Sequence, residues 1–148
     1  MKYFWKTGTR CKVDAQVAGE MFEQLASEGR LTAKDLVNEN RDPYAPLHNE
    51  FNWNDAEAAE LYREDQARYM IRHIEIKHEP EQIQTRAFFN VQLEQPKYEH
   101  INVIIADEEK HSALLMMAQK ELRSFRQKYS ELTALKPVFD AIDSVIGA

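Results

Sequence analysis

From residue 46 the chain reads Pro-Leu-His-Asn-Glu-Phe-Asn-Trp-Asn-Asp and passes straight into a charge-rich stretch that runs to Arg72. Leu47, Phe51 and Trp53 crowd a connection of a kind that is ordinarily polar. Such groups either seal a core or face a partner. Asn54 followed by Glu57 has the form of a capping box, so a long helix is expected from about Asp55 to Arg72. Any fold open to this chain must place an apolar loop directly before that helix. Acids come early in it (Asp55, Glu57, Glu60, Glu64, Asp65) and bases later (Arg63, Arg68, Arg72), the order a helix dipole favours.

The flanking sequence supplies the other elements. Residues 2–6 and 9–13 read as extended, with Thr7-Gly8 as a hairpin turn between them. Asp14 is a helix N-cap; Val17, Met21 and Leu25, widened by Ala18 and Phe22, line one face, and Gly29 closes the helix. Thr32 with Asp35 opens a second, short helix to about Asn40, which Asp42-Pro43 stops. Pro46 then opens one further turn holding Leu47 and Phe51.

After Arg72 the apolar period changes to two. Ile74 and Ile76 form one strand, Ala87, Phe89 and Val91 a second, and Ile101, Val103 and Ile105 a third. Glu79-Pro80-Glu81 and Gln95-Pro96-Lys97 are the breaks. Asp107 caps the last long helix, whose apolar stripe is Leu115, Ala118, Leu122, Phe125, Tyr129 and Leu132. Lys136-Pro137 starts a final helix with Val138, Phe139, Ile142 and Val145 inward. The expected class is α+β: a helical, helix-turn-helix-like N-terminal half, a small antiparallel sheet and two C-terminal helices. The 148 residues suit a single domain, or two lobes dividing at 74/75.

Composition narrows the function classes. A hydrophobic content of 43% can bury a core, and the apolar runs are too short to span a bilayer. The basic start Met-Lys-Tyr-Phe-Trp-Lys lacks the apolar block of a signal peptide. Cys11 is the sole cysteine, which excludes an internal disulfide and a cysteine-rich zinc site and suits a reducing cytosol. A net charge of −6 argues against non-specific coating of nucleic acid but permits a local basic patch.

Enzymatic signatures are lacking. None of the four glycines belongs to a phosphate-cradling loop or a nucleophile elbow, so neither a catalytic residue nor a cofactor is expected. Glu75-x-x-His78 and Glu108-x-x-His111 share the spacing of di-iron ligands, but the first copy sits in period-two sequence, where residues three apart point to opposite faces. No metal is expected. Arg10 and Lys12 would lower the Cys11 pKa if they approached it. His48 reads as a hydrogen-bonded boundary residue rather than a ligand.

Two binding readings remain. For DNA, Arg63, Gln66, Arg68 and Arg72 offer side chains that bond purine edges, and Lys2, Lys6, Arg10 and Lys12 would contact phosphates. The competing account makes the helix a solvated face and the basic segment an edge strand whose lysines deter aggregation. For a protein partner or self-association, the candidates are a Phe51/Trp53 patch and Met116 with Met117 on a second face of the last long helix.

The pattern Leu31-Thr32, Pro46-Leu47-His48, Phe51-x-Trp53-x-Asp55, Ala58-Ala59-x-x-Tyr62-Arg63-x-x-Gln66-Ala67-Arg68-x-x-Ile71-Arg72 resembles a group of small proteins encoded by bacteriophages and prophages. Glu121-Leu122-x-Ser124-Phe125-Arg126-x-Lys128-Tyr129 and Val138-Phe139-x-Ala141-Ile142-Asp143 are similar to the same group. The resemblance implies a phage or prophage origin and a role in the bacterial cytosol; it carries no activity onto individual residues. The expectation is a non-enzymatic accessory or regulatory protein that contacts DNA, or else an assembly module acting as a homodimer or on a host protein.

Overall fold

The computed structural model describes every residue except 55, 56, 93, 95 and 148, and of Glu57 and Ala58 the backbone alone. The Asn54/Glu57 capping box and the turn at Gln95 therefore lie outside the described residues. The structure is α+β, and it divides into two compact units, Met1–Val103 and Ile104–Ala148. That division falls after the sheet and not at 74/75, because the strand following residue 73 pairs with the N-terminus. No helix among the described residues is long and apolar enough to cross a membrane.

In the first unit, β1 (Tyr3–Trp5) precedes α1 (Ala15–Ser27) and α2 (Ala33–Glu39). A 3₁₀ turn at His48–Glu50 leads to α3 (Glu57–His73), β2 (Ile74–His78) and β3 (Ile83–Arg86). The short strands β4 (Phe88–Phe89) and β5 (Glu99–His100) complete it. The order in the first sheet is β1-β2-β3, all antiparallel, with Tyr3 opposite Ile76 and Trp5 opposite Ile74. β4 and β5 form a separate pair, Phe88 opposite His100.

Capping chemistry sets the helix ends. Asp14 accepts the Gln16 N–H at 2.8 Å and Thr32 accepts the Asp35 N–H at 3.0 Å. Gly29, at φ 70°, lets its own N–H reach the Ala26 carbonyl and the Arg30 N–H reach that of Leu25. This double closure needs a left-handed residue, which glycine adopts without strain. The buried face of α1 is Ala18, Gly19, Phe22 and Leu25, while Val17 is exposed, so the stripe is rotated from the expected one. Phe22 packs edge-on to Phe88 at 5.9 Å, and Tyr3 stacks on Phe88 at 6.2 Å.

Three expected strands change. Residues 9–13 do not return as a hairpin: Glu50 accepts the N–H groups of Lys12 and Val13, at 2.8 and 2.7 Å, and the Trp5 indole donates to the Val13 carbonyl. Those side chains occupy the ladder positions a second strand would have used. The strand expected around Ala87 splits into two. The Ala87 N–H still bonds Ile74 in the first sheet, whereas its carbonyl accepts Ile101 N–H beside β5. That crossing turns Phe88 into the core. The third strand is a helix, α4 (Ile101–Ala106), because the ladder ends at His100 and of its apolar residues Ile104 alone is fully buried.

The second unit holds α5 (Glu108–Lys128) and, after a 3₁₀ turn at Thr133–Leu135, α6 (Lys136–Ile146). Asp107 caps α5 by accepting the Lys110 N–H. α6 returns along α5: Arg126 grips both carboxylate oxygens of Asp143 at 2.5 and 3.0 Å, and Phe125 meets Phe139 at 6.4 Å. Phe139 and Ile142 are buried, whereas Val138 and Val145, expected inward, are exposed.

Candidate functional site

The apolar connection folds onto α3. Asn40, fully buried, accepts the Leu47 N–H at 3.0 Å and donates to the Leu36 carbonyl at 2.8 Å, which pins the start of the loop. The His48 ring donates through Nδ1 to the Asn40 carbonyl, a partner that requires the proton on that nitrogen. Trp53 lies flat on His48, centroids 4.7 Å apart and planes 6° from parallel. Its indole donates to the His48 carbonyl at 2.7 Å, and Phe51 is buried beneath. Of the two alternatives for Phe51 and Trp53, the structure places them as a seal.

Arg63 belongs to this seal. It is 5% exposed, and its guanidinium sits 4.8 Å from the Trp53 ring centre. Its donors go to the carbonyls of Asn52 and Asn54 and to the Glu60 carboxylate. Gln66 bridges the same loop, donating to the Glu50 carbonyl and accepting from Asn52 N–H. Arg68 pairs with Asp65 at 2.9 Å, and Arg72 is exposed. Arg63, Gln66, Arg68 and Arg72 thus do not form one open reading face: two of them hold the loop down.

The N-terminal bases Lys2, Lys6, Arg10 and Lys12 are all exposed. The structure brings two of them to the last turn of α3, a juxtaposition of groups 59 residues apart in sequence for Arg10 and Tyr69 and further still for Lys6 and His73. Lys6 N–H bonds the His73 carbonyl at 2.9 Å, beside the exposed Arg72. Arg10 N–H meets the Tyr69 hydroxyl, and its guanidinium lies 6.0 Å from the Tyr69 ring centre. Tyr69 in turn stacks on His73 at 4.0 Å.

Below that corner is a cleft of about 390 Å³ lined by Arg10, Cys11, Glu50, Tyr62, Asp65 and Tyr69. Burial pushes the Cys11 thiol up to about 12, and the Glu50 charge adds to the shift. Glu50, anchored on the Lys12 and Val13 N–H groups, outweighs the basic neighbours in sequence. A thiol raised in this way stays protonated at neutral pH. At pH 8 alkylation of native Cys11 is expected to run roughly a hundred- to a thousand-fold slower than in the denatured chain. Equal rates in the two states would show a thiolate that this geometry does not hold.

His100 was not singled out by its sequence context. Its Nδ1 accepts the Asn102 N–H at 3.1 Å, so the neutral ring carries its proton on Nε2, which is buried without a hydrogen-bond partner among the described residues. Phe88 and Tyr3 stand edge-on to it at 5.3 and 6.4 Å. Burial pushes its pKa down, Glu23 opposes that shift and the N-terminal ammonium adds to it. Between the two pKa values the unfolded chain binds the extra proton, so this contribution to stability is complete above about pH 6.5 and declines as pH falls below it. Urea midpoints at pH 7.5 and 5.5 should show that decline in the wild type and a smaller one in His100→Gln. An unchanged slope in the variant would assign it to another group.

On α5 none of the described residues is buried. Leu115 is 50% exposed, Leu122 36% and Phe125 40%, on one stripe with Ala118 and Tyr129. Met116 is 69% and Met117 37% exposed. At about 100° per residue, they point roughly 140° and 120° away from the centre of that stripe. The methionines therefore lie off the helix's apolar stripe. Glu75 and His78 are on β2, where His78 bonds Thr85, and Glu108 and His111 are in the first turn of α5. Among the described residues no group of three His, Cys, Asp or Glu could hold a metal ion. Comparisons of the chain with family models, with curated proteins and with solved structures gave no match in any of the three.

Proposed function

We propose that this chain is a non-enzymatic phage- or prophage-encoded accessory protein that works by binding another polypeptide through the apolar stripe of its C-terminal helical unit. The phage origin rests on the resemblance of the Pro46-to-Arg72 pattern alone. The observation that carries the binding reading is a 21-residue helix with no buried residue and a run of half-exposed Leu and Phe. Isolated exposed leucines are ordinary on a monomer, but a contiguous apolar stripe along a helix marks an interaction surface.

Leu115→Glu with Leu122→Glu tests it, since both positions are open and the fold should tolerate the change. The wild type is expected to associate at tens of micromolar in sedimentation velocity, or to bind the dye ANS, and the double variant to lose both with its thermal melt unchanged. A wild type that is strictly monomeric and binds no dye would overturn the reading.

The convergence of Lys6 and Arg10 on the Arg72 turn favours DNA contact as a second reading. With Arg63 and Gln66 engaged in the loop, it relies on Lys2, Lys6, Arg10, Lys12, Arg68 and Arg72. Fluorescence anisotropy with DNA fragments should then show a salt slope that falls by about 2 in Arg10→Ala/Arg72→Ala. An unchanged slope removes those two residues from the contact.

A further inference from the structure

We infer that the occupant of the α5 stripe is a second copy of this chain, running antiparallel, in the register that sets Glu121 of each copy beside Lys128 of the other. The inference rests on the proposed binding role of α5 and names its partner. Leu115, Ala118, Leu122, Phe125 and Tyr129 step by three and four, which is the a/d seam of a helical pair. On one edge of the seam lie Gln119 and Arg126; α6 packs on that side, with Arg126 held by Asp143, and its Phe139 reaches Phe125 of the seam, which stays 40% exposed. The other edge carries Glu121 and Lys128, both exposed.

Antiparallel helices pair a positions with d positions. Aligning Leu122 with Phe125 of the second copy also sets Ala118 against Tyr129, a small group against a large one. In that alignment the flanking residues that meet are Glu121 and Lys128, twice by symmetry. Sliding one copy by a heptad instead brings Glu121 against Glu121, a like-charge contact. A parallel pair would need Arg126 for Glu121, and Asp143 already holds that guanidinium; it would also align the two helix dipoles. Charge and size therefore select one register and one orientation. An isologous interface of this kind closes as a two-fold dimer. Its core would be two α5–α6 hairpins side by side, with the exposed Val138 and Val145 one heptad apart on α6.

The full chain in a Cys11→Ala background tests this. Glu121→Cys with Lys128→Cys should give a disulfide-linked dimer under mild oxidation. Within one helix the two positions lie about 10.5 Å apart, beyond disulfide reach. In that register the two copies of position 121 lie about 7.5 Å apart along the axis and those of 128 about 13.5 Å, so either single cysteine should cross-link poorly. Glu121→Lys alone and Lys128→Glu alone should each raise the dimer dissociation constant roughly tenfold, and the combined swap should restore it. A monomer that still binds ANS overturns the second copy while keeping the binding face. A dimer that links 121 to 121, or that the charge swap does not restore, overturns the register. A monomer that binds no dye overturns both readings.

Discussion

Arg63→Ala is expected to destabilise the first unit by about 2–3 kcal/mol. The guanidinium, itself buried, satisfies the carbonyls of Asn52 and Asn54 and lies over the Trp53 ring. Removing it takes the protein donors from two backbone acceptors and opens a gap beside the indole. Glu60 is not left alone, since Arg41 also reaches it at 2.5 Å, so the loss falls on the loop rather than on that carboxylate. Arg63→Lys keeps the charge but cannot fork to two carbonyls and a carboxylate at once, so it should recover less than half. Urea unfolding followed by tryptophan emission measures both variants. A loss under about 1 kcal/mol for Arg63→Ala would mean that the loop is held by other contacts.

Gly19→Ala should destabilise by about 2–3 kcal/mol, against the usual sign for a helix interior. Alanine gains about 1 kcal/mol over glycine in helix propensity. Here, however, a Cβ would stand 2.1 and 2.2 Å from two Tyr3 ring atoms. The ring has no room to move: Tyr3 is buried, its hydroxyl donates to Glu23 at 2.6 Å, and its backbone is in register with Ile76. The helix and the edge strand must separate, and the repulsion outweighs the propensity gain. Coupling decides the cause. In a Tyr3→Ala background the same substitution should cost little or become favourable, and a penalty that persists there would place the strain elsewhere.

Local chemistry was legible where the relevant partners lie within a few residues. Asp14, Thr32 and Asp107 each cap the helix they precede, and Gly29 ends α1 in the left-handed conformation. Three apolar residues in alternation were not enough to tell strand from helix at Ile101. That choice depends on whether a neighbouring strand offers hydrogen bonds, and the ladder beside β5 stops at His100. Val17 and Val145 show the same limit for helix faces: periodicity identifies a stripe, but the position of neighbouring elements selects which side of it is covered.

The candidate sites divide the same way. An apolar loop was plain in the sequence, yet the identity of its lid was not, because Arg63 is the kind of residue that ordinarily faces water. Its burial follows from two free carbonyls and an indole that only the folded loop brings together. Cys11 and His100 take their chemistry from burial, added to by Glu50 for the first and made by the Tyr3/Phe88 rings for the second, groups distant in the chain. The apolar seam of α5 was visible as a spacing of three and four, whereas its exposure was not.

By itself, then, the sequence determined the class, the caps at Asp14, Thr32 and Asp107 and the apolar periods, because those depend on interactions within a turn or two of the chain. Tertiary structure alone decided which bases stay free, which aromatics are sealed and which helix face is left open. Those outcomes depend on what approaches from far along the chain, and desolvation and competition for backbone hydrogen bonds act only once that approach has been made.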